Sequence, residues 1–295
     1  MRVLFCLCTA ILFAGCHHSK TETVETVPYF NWESASVQSN GIRLHYWRTG
    51  HSGRQVIIMS HGITDYGLNW ATLASKLEQD YDLIMYDSRG HGFSEKPEGP
   101  YDLNTHVEDL AGLIRALNIE KPILIGHSMG GSIVGKTAAT YPDLPLAVIM
   151  EDPPMEEMLE TLTEAIIPDW KNWVNTQRHM PKADLMKAAS KEFHPGWTPF
   201  LYDQWAESKH LVSPNVVDIL PGEGFGNPRD YFQHITVPAL ILKADAEAPL
   251  RKRHLEAAAL LPNGRLVHID GAGHVIRNDK PEEVENQIRL FLSSL

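Results

Sequence analysis

Apolar residues along this chain fall into two alternating habits. The runs Gln55–Met59, Leu83–Tyr86, Ile123–Ile125, Leu146–Met150 and Ala239–Leu242 are nearly continuous in apolar side chains. Such runs read as strands covered on both faces, and Arg43–Arg48 and Arg265–Ile269 read as two more. Between them the spacing changes to that of helices. Trp70, Leu73, Ala74 and Leu77 make one stripe; Val107, Leu110, Ala111, Ile114 and Leu117 make another. A third, Val284, Ile288, Phe291 and Leu292, follows Pro281, a residue suited to a first helical turn. Strands alternating with helices predict an α/β chain with a mostly parallel central sheet flanked by helices and right-handed crossovers.

Two stretches depart from this rhythm. Residues 153–230 run from Pro153-Pro154 to near Pro228, with helical patches and no buried strand. They hold Trp170, Trp173, Trp197, Trp205, Phe193, Phe200 and Tyr202, and read as a helical cap. Most of these aromatics are expected to pack cap against core, and a few to give a pocket an apolar lining. That leaves 36–152 and 231–295 as the core. At the other departure, Arg2 precedes an apolar run from Val3 to Gly15, too short to cross a bilayer comfortably and shaped like an export signal. It ends Leu12-Phe13-Ala14-Gly15-Cys16, which resembles a bacterial lipobox. Residues 1–16 are therefore expected to be a signal peptide, with Cys16 lipidated, and 17–35 a polar tether on a cell envelope.

Composition narrows the chemistry. The 295 residues suffice for one large core, and 43% hydrophobic with 21% charged residues is ordinary for a folded protein. A net charge of −11 without a Lys/Arg cluster excludes nucleic acid as partner and leaves a membrane only through the lipid anchor. All three cysteines, Cys6, Cys8 and Cys16, lie in the leader. The mature chain then has no disulfide, thiol nucleophile or cysteine-based zinc site. No H-x-H or H-E-x-x-H grouping points to a metal, and no cofactor is expected.

The strongest chemical signal is Gly126-His127-Ser128-Met129-Gly130, a G-x-S-x-G pattern after one strand-like run and before a helix-like stretch to Tyr141. A serine there sits on a sharp strand-to-helix turn with its Oγ lifted above the sheet. His61-Gly62-Ile63-Thr64 follows the strand Gln55–Met59, where a loop supplies one N–H of an oxyanion hole; the other comes from the residue after the serine. Ile63 and Met129 are the expected backbone donors. Gly271-Ala272-Gly273-His274 places a histidine after the strand Arg265–Ile269, where it can act as base for Ser128. Among the other histidines of the fifteen, His127 beside the serine is assigned a packing or supporting role, His61 orients its own loop, and His17 and His18 fall in the tether.

These motifs, with Asp87-Ser88-Arg89-Gly90-His91-Gly92-Phe93-Ser94, resemble the α/β-hydrolase superfamily from about residue 36 to 294. The resemblance implies the α/β-hydrolase fold and a Ser–His–acid triad. Two segments offer the acid. Most members take it after the next-to-last strand, here Lys243-Ala244-Asp245-Ala246-Glu247, but their Gly-x-x-Asp pattern puts the aspartate at Glu247 and leaves Asp245 two residues early. The run Val148-Ile149-Met150-Glu151-Asp152-Pro153-Pro154 is similar instead to N-formylmaleamate deformylases, and zearalenone lactonases carry their acid in the same region. Asp152 is preferred over Asp245 and Glu247.

The implied activity is hydrolysis of a small or medium acyl substrate, an ester, lactone or amide, through an acyl-enzyme. An aspartate at position 128 would instead point to an epoxide hydrolase or dehalogenase. The same triad also serves C–C hydrolysis and perhydrolase chemistry, and a ligand sensor of slow turnover is the alternative of a different class.

Overall fold

The structure, a computed structural model, describes residues 31–51, 53–162 and 164–295. Cys16, the expected leader and the expected tether up to residue 30 lie outside them. Among the described residues no helix is long and apolar enough to cross a membrane.

The strands are β1 (Glu33–Ser39), β2 (Ile42–Arg48), β3 (Val56–Ser60), β4 (Asp82–Tyr86), β5 (Ile123–His127), β6 (Ala147–Glu151), β7 (Ala239–Lys243) and β8 (Gly264–His268). They form one sheet in the order β1-β2-β4-β3-β5-β6-β7-β8. β1 and β2 pair antiparallel, as do β2 and β4; every pair from β4 to β8 is parallel. Seven of these strands match the apolar runs. β1 does not: its sequence is polar, it lies at the sheet edge, and it begins inside the stretch read as tether. The hairpin joining it to β2 turns on Asn40 (φ 47°) and Gly41 (φ 79°), both left-handed as a type I′ turn requires.

The central strands bury both faces. On β3, Ile57 and Met59 face one layer and Ile58 the other, all at 0% exposure. One layer contains α2 (Leu103–Ala116) and α3 (Met129–Thr140), whose Leu110, Ile114, Ile133 and Val134 pack on Ile58, Leu124 and Val148. The opposite layer contains α1 (Ala71–Leu77) and the C-terminal helix, Pro281–Leu292, with Leu73, Leu77, Val284 and Ile288 against Ile57, Ile125 and Leu240. Each large aliphatic side chain so enclosed contributes about 1.5–3 kcal/mol relative to exposure.

Between β6 and β7 the chain is helical: α4 (Glu156–Leu159), α5 (Ile167–His179), α6 (Lys182–Ala188), α7 (Pro199–Leu211) and α8 (Pro228–Tyr231), linked by short 3₁₀ and π segments. Trp170 and Trp173 pack on the main core, whereas Trp197 and Trp205 join Leu185, Leu201 and Val275 in a cluster of their own. The remaining helices are α9 (Ala248–Ala258), α10 (Ile276–Asp279) and α11 (Pro281–Leu292). Strand order reverses at β3, whose neighbours are β4 and β5. The loops leaving β3 and β5 therefore diverge at their C-terminal ends, and this crevice is where open α/β sheets bind ligands.

Candidate active site

Ser128 links β5 to α3 with φ 52° and ψ −119°, a backbone state that costs a non-glycine residue about 1–3 kcal/mol. Two close approaches hold it there. A Cβ at Gly126 would lie 2.1 Å from the Gly130 carbonyl oxygen, and one at Gly130 would lie 2.2 Å from that of Ser60. Only glycine fits at either place. A Cβ at Gly131 would meet Pro153 at 3.1 Å and the Gly126 carbonyl oxygen at 3.4 Å. Ser128 Oγ has no hydrogen-bond partner among the described residues; it opens onto a pocket that His274 also lines.

His274 lies on the loop between β8 and α10. Its carbonyl accepts from His127 Nε2 (2.9 Å), Gly273 N–H donates to Asp279 (2.8 Å), and Val275 packs under the cap. Its Nδ1 donates to Asp152 Oδ2 at 2.6 Å. An ionised carboxylate only accepts, so the proton is on Nδ1 and Nε2 is left as the basic nitrogen.

Asp152 is buried at the end of β6 with φ 40°, a left-handed state that aspartate tolerates. Its N–H donates to Leu242 O (2.7 Å), and its Oδ1 accepts from Ala244 N–H (3.1 Å) and Lys243 Nζ (2.9 Å). Burial alone would raise its pKa; the His274 hydrogen bond and the Lys243 charge outweigh that and hold it well below the usual carboxylate range. Asp245 is occupied elsewhere, accepting from Gly271 N–H (2.8 Å) and pairing with Arg251 in the open. Glu247 stands at the start of α9, and its side chain makes no cap hydrogen bond there. Of the three carboxylates weighed for the triad, Asp152 is the one bonded to His274.

The loop after β3 is held from several sides. His61, fully buried, donates from Nδ1 to Gly62 O (2.8 Å) and accepts at Nε2 from Ser88 N–H (3.0 Å), which fixes one neutral tautomer. Asp65 N–H also donates to Gly62 O (3.0 Å). In a trans peptide the N–H opposes the C=O, so tying down Gly62 O turns Ile63 N–H the other way. Ile63 lines the pocket with Ser128. Met129 is the first residue of α3, where a backbone N–H has no intrahelical acceptor; its side chain is buried beneath.

The pocket encloses about 130 Å³. Trp197 and Trp205 of the cap contribute aromatic wall, yet Asp65, Asn69, Arg277, Asn278 and three histidines line it too. It is more polar than the aromatic count of the cap predicts. Lys209 of α7 is buried and donates to Thr64 O and Oγ1 (both 2.8 Å), with Asp65 Oδ1 at 3.5 Å. Burial pushes this lysine down to about 8, Asp65 opposing. Arg277 pairs with buried Glu151 (2.8 Å) and stacks over Trp70. Sequence reading missed Lys209, Lys243, Asp65 and Arg277 as parts of the site. Only Lys243 left a trace: a lysine ending an otherwise apolar strand cannot reach water and must meet a carboxylate.

Residues 55–179 match the family model for the alpha/beta hydrolase fold. Over 261 residues, 81% of this chain and 88% of the other, it is 40% identical to 2-(acetamidomethylene)succinate hydrolase of Mesorhizobium japonicum. It is 26% identical to N-formylmaleamate deformylase of Pseudomonas putida, over 82% of this chain and 89% of that protein. Epoxide hydrolase A of Mycobacterium tuberculosis is also 26% identical, over 88% of this chain and 97% of that protein. A crystal structure of E-2-(acetamidomethylene)succinate hydrolase superposes with a TM-score of 0.75 at 26% identity, covering 89% of this chain and 99% of that one. The chain belongs to the α/β-hydrolase superfamily. Its relatives are hydrolases, and hydrolysis is the activity of this fold in their company.

Proposed function

We propose that this protein is a serine hydrolase that cleaves a small acyl substrate, an ester, lactone or amide, through an acyl-enzyme. The observation that carries this reading is the Asp152–His274 hydrogen bond in the pocket onto which Ser128 opens. Ser128 Oγ attacks the acyl carbon while His274 Nε2 takes its proton. The resulting oxyanion is held by the N–H groups of Ile63 and Met129, donors in place before the charge forms. The intermediate collapses, His274 returns the proton to the departing oxygen or nitrogen, and the bond to the leaving group breaks. Water then attacks the acyl carbon, His274 takes its proton, and the acid leaves as Ser128 recovers its hydrogen. Asp152 keeps the proton on Nδ1 throughout and stabilises the imidazolium. Ser128 and His274 line one pocket without a hydrogen bond between them; such contacts commonly close only around substrate.

Relatives named for an N-formyl and an acetamido group support the acyl reading, and amides in particular. Epoxide opening fits poorly despite the relatives that perform it. A serine alkylated by an epoxide would be an ether, with no acyl carbon for water to attack, so turnover would stop after one event.

The test is labelling with a fluorophosphonate probe of the chain without its leader, beside Ser128→Ala. Labelling of the wild type alone is expected. Equal labelling of both, or none of a folded wild type, would sink the reading. Lipidation of Cys16 remains part of the proposal, and incorporation of labelled palmitate into the full chain but not into Cys16→Ser would bear on it.

A further inference from the structure

Lys243 is among the least exposed charged groups of the molecule, with 3% of its side chain accessible, and its ammonium lies among oxygens. Asp152 Oδ1 is at 2.9 Å, Pro153 O at 3.2 Å and Glu157 Oε1 at 3.5 Å. Glu157 stands on α4, the first helix of the cap, and also accepts from His254 Nε2 (2.9 Å), whose Nδ1 lies 3.0 Å from His268 Nε2. A line of polar groups thus runs from the carboxylate behind His274 through a cation to the base of the cap. Burying an ammonium costs several kcal/mol unless it is paired, so the position is expensive for packing alone.

We infer that Lys243 is a positioning residue for the proposed reaction: it fixes the Asp152 carboxylate through Oδ1 so that Oδ2 is aimed at His274, and it sets how readily His274 gives up its proton. The inference rests on the serine-hydrolase reading. Two carboxylate oxygens held by two different partners leave the group no rotation, and the backbone N–H of Ala244 locks the same oxygen. The electrostatic consequence has a definite sign. A cation across the carboxylate opposes a second positive charge on His274, which favours the neutral base. Glu157 partly offsets that cation and acts the other way.

His274 faces Asp152 and His127, and across the pocket Asp65, His194 and Arg277. Lys243 faces Asp152 and Glu157, with His254 and His268 beyond. Lys243→Met keeps length and apolar bulk but removes the charge. Glu157→Gln keeps shape, removes the opposing charge, and sits on a half-buried side chain where folding is tolerant. It also leaves His254 without its carboxylate, a smaller effect farther from His274.

The pH dependence of the fluorophosphonate labelling rate reads the base without any knowledge of the natural substrate. Its acid limb marks loss of the neutral imidazole. In Lys243→Met the midpoint should move up by about one pH unit, with a slower plateau. In Glu157→Gln it should move down by a smaller amount. A side chain that serves packing alone would lower the yield of folded protein and leave the midpoints in place. Labelled wild type with coincident midpoints, or with both variants shifted in the same direction, would overturn the inference and leave the role of Ser128 standing. Should Lys243→Met not fold, the direction of the Glu157→Gln shift decides. A folded wild type that does not label removes the reading and the inference together.

Discussion

At the scale of single residues, the site turns on which carboxylate holds His274. Asp152 is buried and bonded to Nδ1, whereas Asp245 is spent on Arg251 and the Gly271 N–H. Asp152→Asn should lower kcat by about 10²–10⁴-fold, because an amide there can favour the wrong tautomer. Asp245→Asn should stay within a few-fold of wild type. Steady-state rates on an ester the wild type turns over would check both, and the reverse ranking would return the acid to the loop after β7. Ser128 and His274 were legible in the sequence because each stands in a glycine-marked loop after an apolar run. The acid was legible only through resemblance, since both candidate segments follow a buried strand. Lys209 and Arg277 were not legible as site residues, and Lys243 only as a cation that must meet a carboxylate. A lone basic residue carries no spacing rule, and the carboxylates they meet, Asp65, Asp152 and Glu151, lie far from them in the chain.

Among the elements, the approach of α3 to β3 sets the height of Ser128 above the sheet. Gly130→Ala would drive a Cβ into the backbone of Ser60, where no rotamer change can relieve it. A loss of about 3 kcal/mol or more in urea unfolding is expected, against little change for Gly222→Asn on an open turn. A mild effect at Gly130 would mean that α3 can shift outward as a body. The continuous apolar runs announced the central strands because both faces of each are covered. β1 escaped for the opposite reason: among the described residues one of its flanks has no strand beside it, and its side chains alternate with solvent, so its signal was the Asn40-Gly41 turn. The cap announced its helices through aromatics, but its polar contribution to the pocket, Lys209 above all, follows from tertiary packing.

For the molecule as a whole, acid should be destabilising well before the carboxylates titrate. His61, His91 and His106 are buried and burial holds all three below 6.5, His91 at about 3. In the unfolded chain these rings take up protons near pH 6.5, whereas in the folded chain they resist. The stability these three rings contribute is therefore complete above pH 7 and falls as pH drops below 6.5, each ring losing about 1.4 kcal/mol per pH unit until its folded pKa is reached. Asp65 and Asp152, depressed by their partners, add a further loss below about pH 4. Urea midpoints at pH 7, 6 and 5 should decline steadily; a flat series would mean that these rings are charged within the fold. The place of Asp152 has one more consequence. It is the first residue after β6, its N–H and carboxylate grip the end of β7, and the whole helical insertion departs and returns between those two points. The covering piece is thus not an interchangeable module. A recombinant graft of a foreign lid must be spliced downstream of Pro154 and upstream of Ala239, or it will carry away the carboxylate that holds His274.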